Sequence, residues 1–297
     1  MVLYSHPERD DVPRWGLRPA APEGKGRGKA MPYTEAPGFR MEYETYGGGD
    51  PLLLINGLGS DRSEWIFQVP DFAERFLVIT FDNRGAGGSD IPPGPYSTAQ
   101  MADDAAALLA HLGADRAHVL GVSLGGMIAQ EVALRHPDRV RKLVLACTAP
   151  GGEGSVRPAP EVLKSFVLSP GADVQEEIRR VVPFLYSEGY RRDHSGEIEE
   201  FVRRRLARPV SAQSNAWQLA AAVGHAAWDR LAAIGARTLV IAGDGDKVVP
   251  TVNSRRIAQR IPGAKLVILP GAPHRLFAEN ATDFNREVMS FLLSERP

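Results

Sequence analysis

The feature that most constrains this chain is a glycine-rich turn between a short apolar strand and a helix. The turn is Gly-Val-Ser-Leu-Gly at 121–125, after an apolar segment at 117–122 and before a helical pattern at 127–134. A serine at the centre of a strand–turn–helix lies on a tight bend that pushes its hydroxyl out over the sheet edge, and the flanking small residues permit that bend. The pattern predicts that Ser123 is a nucleophile. The alternative is a glycine-rich turn that does no chemistry.

Strands and helices alternate on both sides of this turn, which predicts a parallel α/β sheet with helices on both faces. An edge hairpin is expected near 32–46, before the central strands. Thr98 is expected to cap the helix that begins there. The predicted strands are 52–55, 76–81, 117–122, 142–147, 238–242 and 265–269, and the predicted helices include 61–72, 98–112, 253–261 and 282–293.

The alternation stops after residue 150 and returns near residue 233, which divides the chain into parts. Between these points lie charged amphipathic patterns, for example at 174–182 and 198–206, without a central strand. The first residues are rich in proline, glycine and basic residues and lack apolar periodicity, which is typical of disorder. The predicted parts are a disordered N-terminal extension at 1–30, the first part of an α/β core at 31–150, a helical cap at 151–232 and the second part of the core at 233–297.

The composition excludes several classes of protein. A net charge of −1 gives no electrostatic case for nucleic acid or an anionic membrane, and the apolar runs are far shorter than a membrane span. The single cysteine, Cys147, cannot form an intramolecular disulfide, and no His and Cys cluster has zinc-ligand spacing. The first residues also lack the apolar core of a secretory signal. We therefore expect a cytoplasmic protein without a metal.

Two further polar side chains follow predicted strands at the same sheet edge as Ser123. Asp246 comes after the strand at 238–242, and His274 comes after the strand at 265–269. Reactive groups in open parallel sheets gather beyond the carboxyl ends of the strands, and the order Ser, Asp, His is one that this architecture uses. Asp246 has a competitor in Asp244, and either can be an ordinary turn residue. His274 is one of seven histidines, but the joint placement favours a catalytic triad.

From about residue 31 to its C-terminus, the chain resembles the α/β-hydrolase superfamily, and within it 3-oxoadipate enol-lactonases and related small capped esterases. The resemblance implies the α/β-hydrolase fold, in which a mostly parallel central sheet has helices on both faces and an inserted helical cap. Asn56-Gly57 stands where many relatives have His-Gly, and the cap matches weakly. The stretches that carry the resemblance are Gly243-x-x-Asp246-x-x-x-Pro250, His274 with Glu279-Asn280, 56–61 with Trp65, 81–85 and 93–97.

The chemistry that these residues and the resemblance imply is ester or lactone hydrolysis through an acyl-enzyme. Ser123 attacks the carbonyl, His274 takes its proton, and Asp246 orients the imidazole. The backbone N–H groups of Leu58 and Leu124 bind the oxyanion. Haloalkane dehalogenases and epoxide hydrolases of this fold use aspartate at the position of Ser123, so an alkyl-enzyme is not expected. No nicotinamide or flavin fingerprint is present, and the expected partner is a small-molecule ester or lactone without a cofactor.

Three other functions stay open at this point. Carbon–carbon hydrolases of ring-cleavage products and peroxide-using perhydrolases share the same triad, and a non-catalytic receptor or scaffold is a different class on the same fold. The resemblance also implies a carboxylate on the substrate, for which arginine is the preferred partner. The candidate substrate contacts are Trp65, Arg191, Arg192 and Arg203, and the alternative for each arginine is a solvated helix face.

Overall fold

A mixed eight-stranded sheet runs through the protein in a computed structural model, which describes residues 32–36 and 38–295. The strand order is β1-β2-β4-β3-β5-β6-β7-β8; β1 and β2 are antiparallel to their neighbours, and β3 to β8 are parallel. The predicted fold class is confirmed. The extension expected at 1–30 lies outside the described residues. The strands are β1 (Tyr33–Ala36), β2 (Phe39–Gly47), β3 (Asp50–Ile55), β4 (Phe76–Phe81), β5 (Ala117–Val122), β6 (Val140–Ala146), β7 (Arg237–Gly243) and β8 (Lys265–Leu269).

The central strands are apolar on both faces because both faces of the sheet are covered. In β3, Leu53 and Ile55 belong to the apolar cluster on one face, whereas Leu52 and Leu54 belong to the cluster on the other. Successive side chains of a strand point to opposite faces, so a strand between two helical layers is an unbroken apolar run. The helices are α1 (Val69–Phe72), α2 (Thr98–His111), α3 (Leu124–Arg135), α4 (Pro160–Ser165), α5 (Val174–Leu185), α6 (Glu188–Asp193), α7 (Ser195–Ala207), α8 (Ala212–Val223), α9 (Val252–Arg260), α10 (Leu276–Glu279) and α11 (Ala281–Leu293).

Two details of the sequence prediction are wrong. The helix expected at 61–72 is a 3-10 turn at Arg62–Phe67 followed by the four-residue α1. Ser97, not Thr98, caps α2, because its hydroxyl accepts a hydrogen bond from the amide of Gln100 at 3.1 Å. In the described part of the chain, no helix is both long and apolar enough to cross a membrane.

Between β6 and β7 the chain forms five α-helices, α4 to α8, and within these described residues no strand joins the sheet. We call residues 151–232 the helical segment. Helices α5 and α7 pack on each other and share an apolar cluster that includes Val181 and Phe201. The two ends of the segment meet in an antiparallel bridge between Gly151 and Ala226.

Candidate active site

Neighbouring backbone lies so close to positions 121 and 125, on either side of Ser123, that only glycine fits there. A Cβ on Gly121 would overlap the carbonyl of Gly125, and a Cβ on Gly125 would overlap the carbonyl of Ile55. Ser123 itself has φ 56° and ψ −120°, a conformation that costs a non-glycine residue free energy. Such strain is typical of functional positions, and here it places the serine directly before the first turn of α3.

Asp246 holds His274 in one orientation. The contact between Nδ1 of His274 and Oδ2 of Asp246 is 2.8 Å, and both side chains are buried. The other carboxylate oxygen accepts hydrogen bonds from the amides of Val248 and Val249, each at 2.8 Å. Because a carboxylate accepts hydrogen bonds, the imidazole carries its proton on Nδ1, and Nε2 stays available as a base.

The competing carboxylate, Asp244, has a different partner. Its Oδ1 accepts a hydrogen bond from the amide of Gly271 at 2.5 Å, which connects the loops after β7 and β8. The structure therefore brings Asp246, and not Asp244, to His274.

Cys147 is a buried neighbour of this pair that the sequence did not single out for the site. It follows β6, and its thiol lies within 4.8 Å of ligand atoms of both Asp246 and His274. Burial and the charge of Asp246 raise the pKa of the Cys147 thiol well above its usual value, so the group stays protonated. These three side chains are close enough to share a metal ion, but Asp246 and His274 are already bonded to each other. The donor set therefore fits orientation of the histidine better than metal binding.

Ser123 and His274 line the same cavity of about 410 Å³. The sheet domain supplies Gly57 and Leu58 to its floor, and a Cβ on Gly57 would lie 3.3 Å from the Cβ of Ser123. The absence of a side chain at Gly57 keeps the approach to the serine open. The helical segment supplies a largely apolar wall, and its members include Phe166, Leu168, Val174, Ile178, Val181, Leu185, Phe201 and Val210.

The backbone N–H groups of Leu58 and Leu124 have no backbone acceptor among the described residues. Leu58 lines the cavity, and Leu124 is the first residue of α3, where the helix dipole is positive. The loop that bears Leu58 is braced by Asn56, whose side-chain amide donates to the carbonyl of Phe81 at 3.2 Å. The backbone carbonyl of Asn56 accepts a hydrogen bond from the side-chain amide of Asn83 at 3.1 Å. At the position where many relatives have histidine, Asn56 is thus a structural brace.

None of the four predicted substrate contacts is among the residues that line this cavity. Trp65 is fully buried and packs against Phe277, with 5.8 Å between ring centroids. Arg192 pairs with the adjacent Asp193, and Arg203 pairs with Glu200 on the exposed face of α7. Arg191 donates through Nε to the carbonyl of Ser187 at 3.3 Å.

Two other arginines, Arg205 and Arg275, line the cavity together with Glu64. Glu64 is 2.5 Å from Arg275 and 3.9 Å from Arg205, whose Nη1 donates to Ser60 at 2.8 Å. Burial lowers the pKa of Arg205, against the effect of Glu64. One carboxylate therefore faces two guanidinium groups, which leaves a local excess of positive charge.

A signal for Arg205 is present in the sequence. It lies seven residues after Ile198 and four after Phe201, so it falls on the same face of α7 as these buried side chains. A cation on the apolar face of a helix is unusual and points toward a partner inside the protein.

Comparisons with known proteins place the chain in a family. The model of the family described as alpha/beta hydrolase fold matches residues 50–281. A protein of Azorhizobium caulinodans that bears the name carbamate hydrolase RutD is 31% identical over 261 residues, which cover 88% of this chain and 98% of that protein. The poly(3-hydroxyalkanoate) depolymerase of Ectopseudomonas oleovorans is 36% identical over 83% of this chain and 85% of its own length.

Among solved structures, the enol-lactonase from Burkholderia xenovorans LB400 superposes with a TM-score of 0.79 at 27% identity, and the match covers 89% of this chain and 100% of that one. The family match at 50–281 spans the helical segment as well as strands of the sheet on both sides of it. The chain therefore belongs to the alpha/beta hydrolase fold family, and it is a hydrolase of that fold.

Proposed function

We propose that this protein hydrolyses a carboxylic ester or lactone of a small organic molecule through an acyl-enzyme intermediate. The observation that supports this most is the shared cavity of Ser123 and a histidine whose Nδ1 is held by a buried carboxylate. A nucleophile, a base and an orienting acid are the three groups that acyl transfer to serine requires.

In the first half of the reaction, Oγ of Ser123 forms a bond to the substrate carbonyl carbon while its proton moves to Nε2 of His274. The resulting imidazolium is stabilised by Asp246. Collapse of the tetrahedral intermediate breaks the bond to the leaving oxygen, which takes the proton from His274. Water then attacks the acyl carbon and gives a proton to the same nitrogen. As the bond between the acyl carbon and Oγ of Ser123 breaks, His274 returns that proton to Oγ, which releases the acid and the free serine.

The N–H groups of Leu58 and Leu124 are the proposed donors to the tetrahedral oxygen. Neither has a backbone acceptor among the described residues, and both adjoin Ser123 in the fold. Loss of one such donor costs about 3–4 kcal/mol of transition-state stabilisation.

The cavity favours a substrate with an apolar body and an acidic end. The aliphatic residues of α5 would contact the body, and the helical segment would then act as the lid that selects substrate. Arg205 is the proposed partner of the acidic end, a role predicted from the sequence for Arg191, Arg192 or Arg203. It lines the cavity, and its nearest carboxylate, Glu64, is 3.9 Å away. A partly buried guanidinium without a full partner favours an anion.

A substrate panel tests the proposal. We expect turnover of p-nitrophenyl esters and of enol-lactones, and covalent labelling of Ser123 by a fluorophosphonate, located by mass spectrometry. Turnover confined to vinylogous diketones from ring cleavage would indicate carbon–carbon hydrolysis with the same triad, and activity that needs peroxide would indicate a perhydrolase. No turnover and no labelling of Ser123 would contradict an enzymatic function and favour a receptor or scaffold.

A further inference from the structure

The residue directly after His274 is a buried arginine, Arg275, that lines the cavity. Arg275 reaches Glu64 at 2.5 Å, and each side chain is only 5% exposed. Burial opposes both charges, yet the proximity of the opposite charge raises the pKa of Arg275 and, with Arg205, lowers the pKa of Glu64. Both groups are therefore ionised, and the contact is a buried ion pair.

The two ends of this pair belong to the two loops that the reaction needs. Glu64 lies in the 3-10 turn at Arg62–Phe67, which follows the loop that bears the Leu58 amide. Asp61 fixes that turn, since its side chain accepts from the amide of Ser63 at 2.7 Å. At the other end, Arg275 is bonded covalently to the proposed base, His274.

The guanidinium of Arg275 is enclosed by aromatic rings. Its central carbon lies 4.4 Å from the ring centroid of Phe201, 5.0 Å from that of Phe277 and 5.2 Å from that of Tyr186. Its backbone amide donates to the carbonyl of Leu185 at 3.0 Å. A cation enclosed by three aromatic rings and one carboxylate has few alternative rotamers.

We propose that the Glu64–Arg275 ion pair is a positioning device that sets the distance between the Leu58 amide and His274. The inference rests on the proposed function, in which both groups act on the same carbonyl. If the pair were removed, the oxyanion donor and the base would no longer be held together across the cavity, and kcat would fall without an equal change in KM. Misplacement of about 1 Å costs about a hundredfold in rate.

The test is the double variant Glu64→Leu/Arg275→Met, which removes one negative and one positive charge and so keeps the net charge around the cavity. Apolar replacement of a buried ion pair is often neutral or stabilising for folding, so we expect Tm to stay close to the wild-type value. For a neutral p-nitrophenyl ester, we expect kcat to fall about a hundredfold and KM to change less than about threefold. Arg275→Lys, which keeps a cation opposite Glu64, is expected to retain most of kcat.

The matched control is another buried arginine–carboxylate pair, Arg84 with Asp104, whose closest contact is 2.6 Å and which does not line the cavity. Arg84→Met/Asp104→Leu is expected to leave kcat nearly unchanged. Wild-type kcat in the Glu64→Leu/Arg275→Met variant, or equal losses in the two double variants, would overturn the inference.

A crystal structure of the Glu64→Leu/Arg275→Met variant separates this inference from the proposed function. We expect the distance between the Leu58 nitrogen and Nε2 of His274 to differ from the wild-type distance by more than about 0.5 Å, the tolerance of a catalytic constellation. An unchanged distance overturns the positioning role whatever the activity. If the distance changes in the variant but the wild-type protein hydrolyses no ester, the coupling stands and the proposed function is contradicted.

Discussion

Asp246 and His274 are joined at 2.8 Å, and the remaining oxygen of the same carboxylate is held by two backbone amides. The carboxylate therefore cannot rotate away without the loss of three hydrogen bonds. This relationship distinguishes Asp246 from Asp244, which stands two residues earlier and bonds a different loop.

Asp246→Asn should lower kcat about ten-thousandfold, because an asparagine side chain permits the wrong tautomer of His274. Asp244→Asn should lower kcat less than about tenfold, because its carboxylate connects two loops but does not contact the histidine. Steady-state kinetics of the two variants on one ester decide between the acids. Equal losses of kcat, or a larger loss in Asp244→Asn, would show that Asp246 does not have the orienting role.

Ser123→Ala should fold normally and lose at least about a thousandfold in kcat. Ser123→Gly should be equally inactive but more stable than Ser123→Ala by about 1 kcal/mol or more, since glycine adopts the observed φ of 56° without strain. Thermal unfolding of the two variants measures the difference. If alanine were the more stable, the serine backbone would not be strained.

Arg205→Met should raise KM for an ester with a free carboxylate about tenfold or more and leave a neutral aryl ester nearly unchanged. The matched control is Arg203→Met in the same helix, whose arginine is exposed and paired with Glu200. The measurement is kcat/KM for both esters in both variants. Parallel losses on both esters would indicate damaged folding. An unchanged kcat/KM for the carboxylate-bearing ester in Arg205→Met would contradict the proposal that Arg205 binds an acidic end of the substrate.

Stability should depend on pH through His225. Its side chain is buried between Thr98, at 3.0 Å, and Gln130, at 3.4 Å, with Glu131 at 3.9 Å and Arg230 beyond it. Burial lowers the pKa of His225 to about 4, below the value of about 6.5 in an unfolded chain. The unfolded state therefore takes up the proton first, so stability is full above about pH 6.5 and is lost as pH falls toward 4.

The measurement is urea unfolding of wild type and His225→Gln between pH 7 and pH 4. Wild type should lose up to about 3 kcal/mol more than the variant across this range. His118 has a similarly lowered pKa, but it is present in both proteins and cancels in the comparison. A variant with the same pH dependence as wild type would show that His225 does not carry the effect.

The sequence predicted the framework of the site well because strand ends obey a simple rule. Ser123, Asp246 and His274 each follow a parallel strand, and the carboxyl ends of such strands meet at one edge, so order and spacing were enough to predict the contact that joins Asp246 to His274. The need for glycine at 121 and 125 was also predictable from the tight bend, and in the structure neighbouring backbone leaves no room there for a side chain.

The substrate contacts were not predictable in the same way. Whether an arginine of α7 faces the cavity depends on how that helix is rotated against the sheet, and neighbouring arginines point in different directions. Arg203 is exposed beside Glu200, whereas Arg205, two residues later, is turned inward toward Ser60. Trp65 differs in another respect: its side chain is fully buried and is not among the residues that line the cavity, and the motif alone does not reveal that burial.

The paired ends of the helical segment have a consequence for how this protein can change. The amide of Gly152 donates to the carbonyl of His225 at 3.0 Å, and the amide of Ala227 donates to that of Pro150 at 2.9 Å. The chain thus leaves the sheet and returns to it through one two-stranded neck. The distance between the two ends of the helical segment is therefore short and is the same for a segment of any length. A segment grafted at this neck from another family member would replace the apolar wall of the cavity, and with it Tyr186 and Phe201, which enclose Arg275 beside His274.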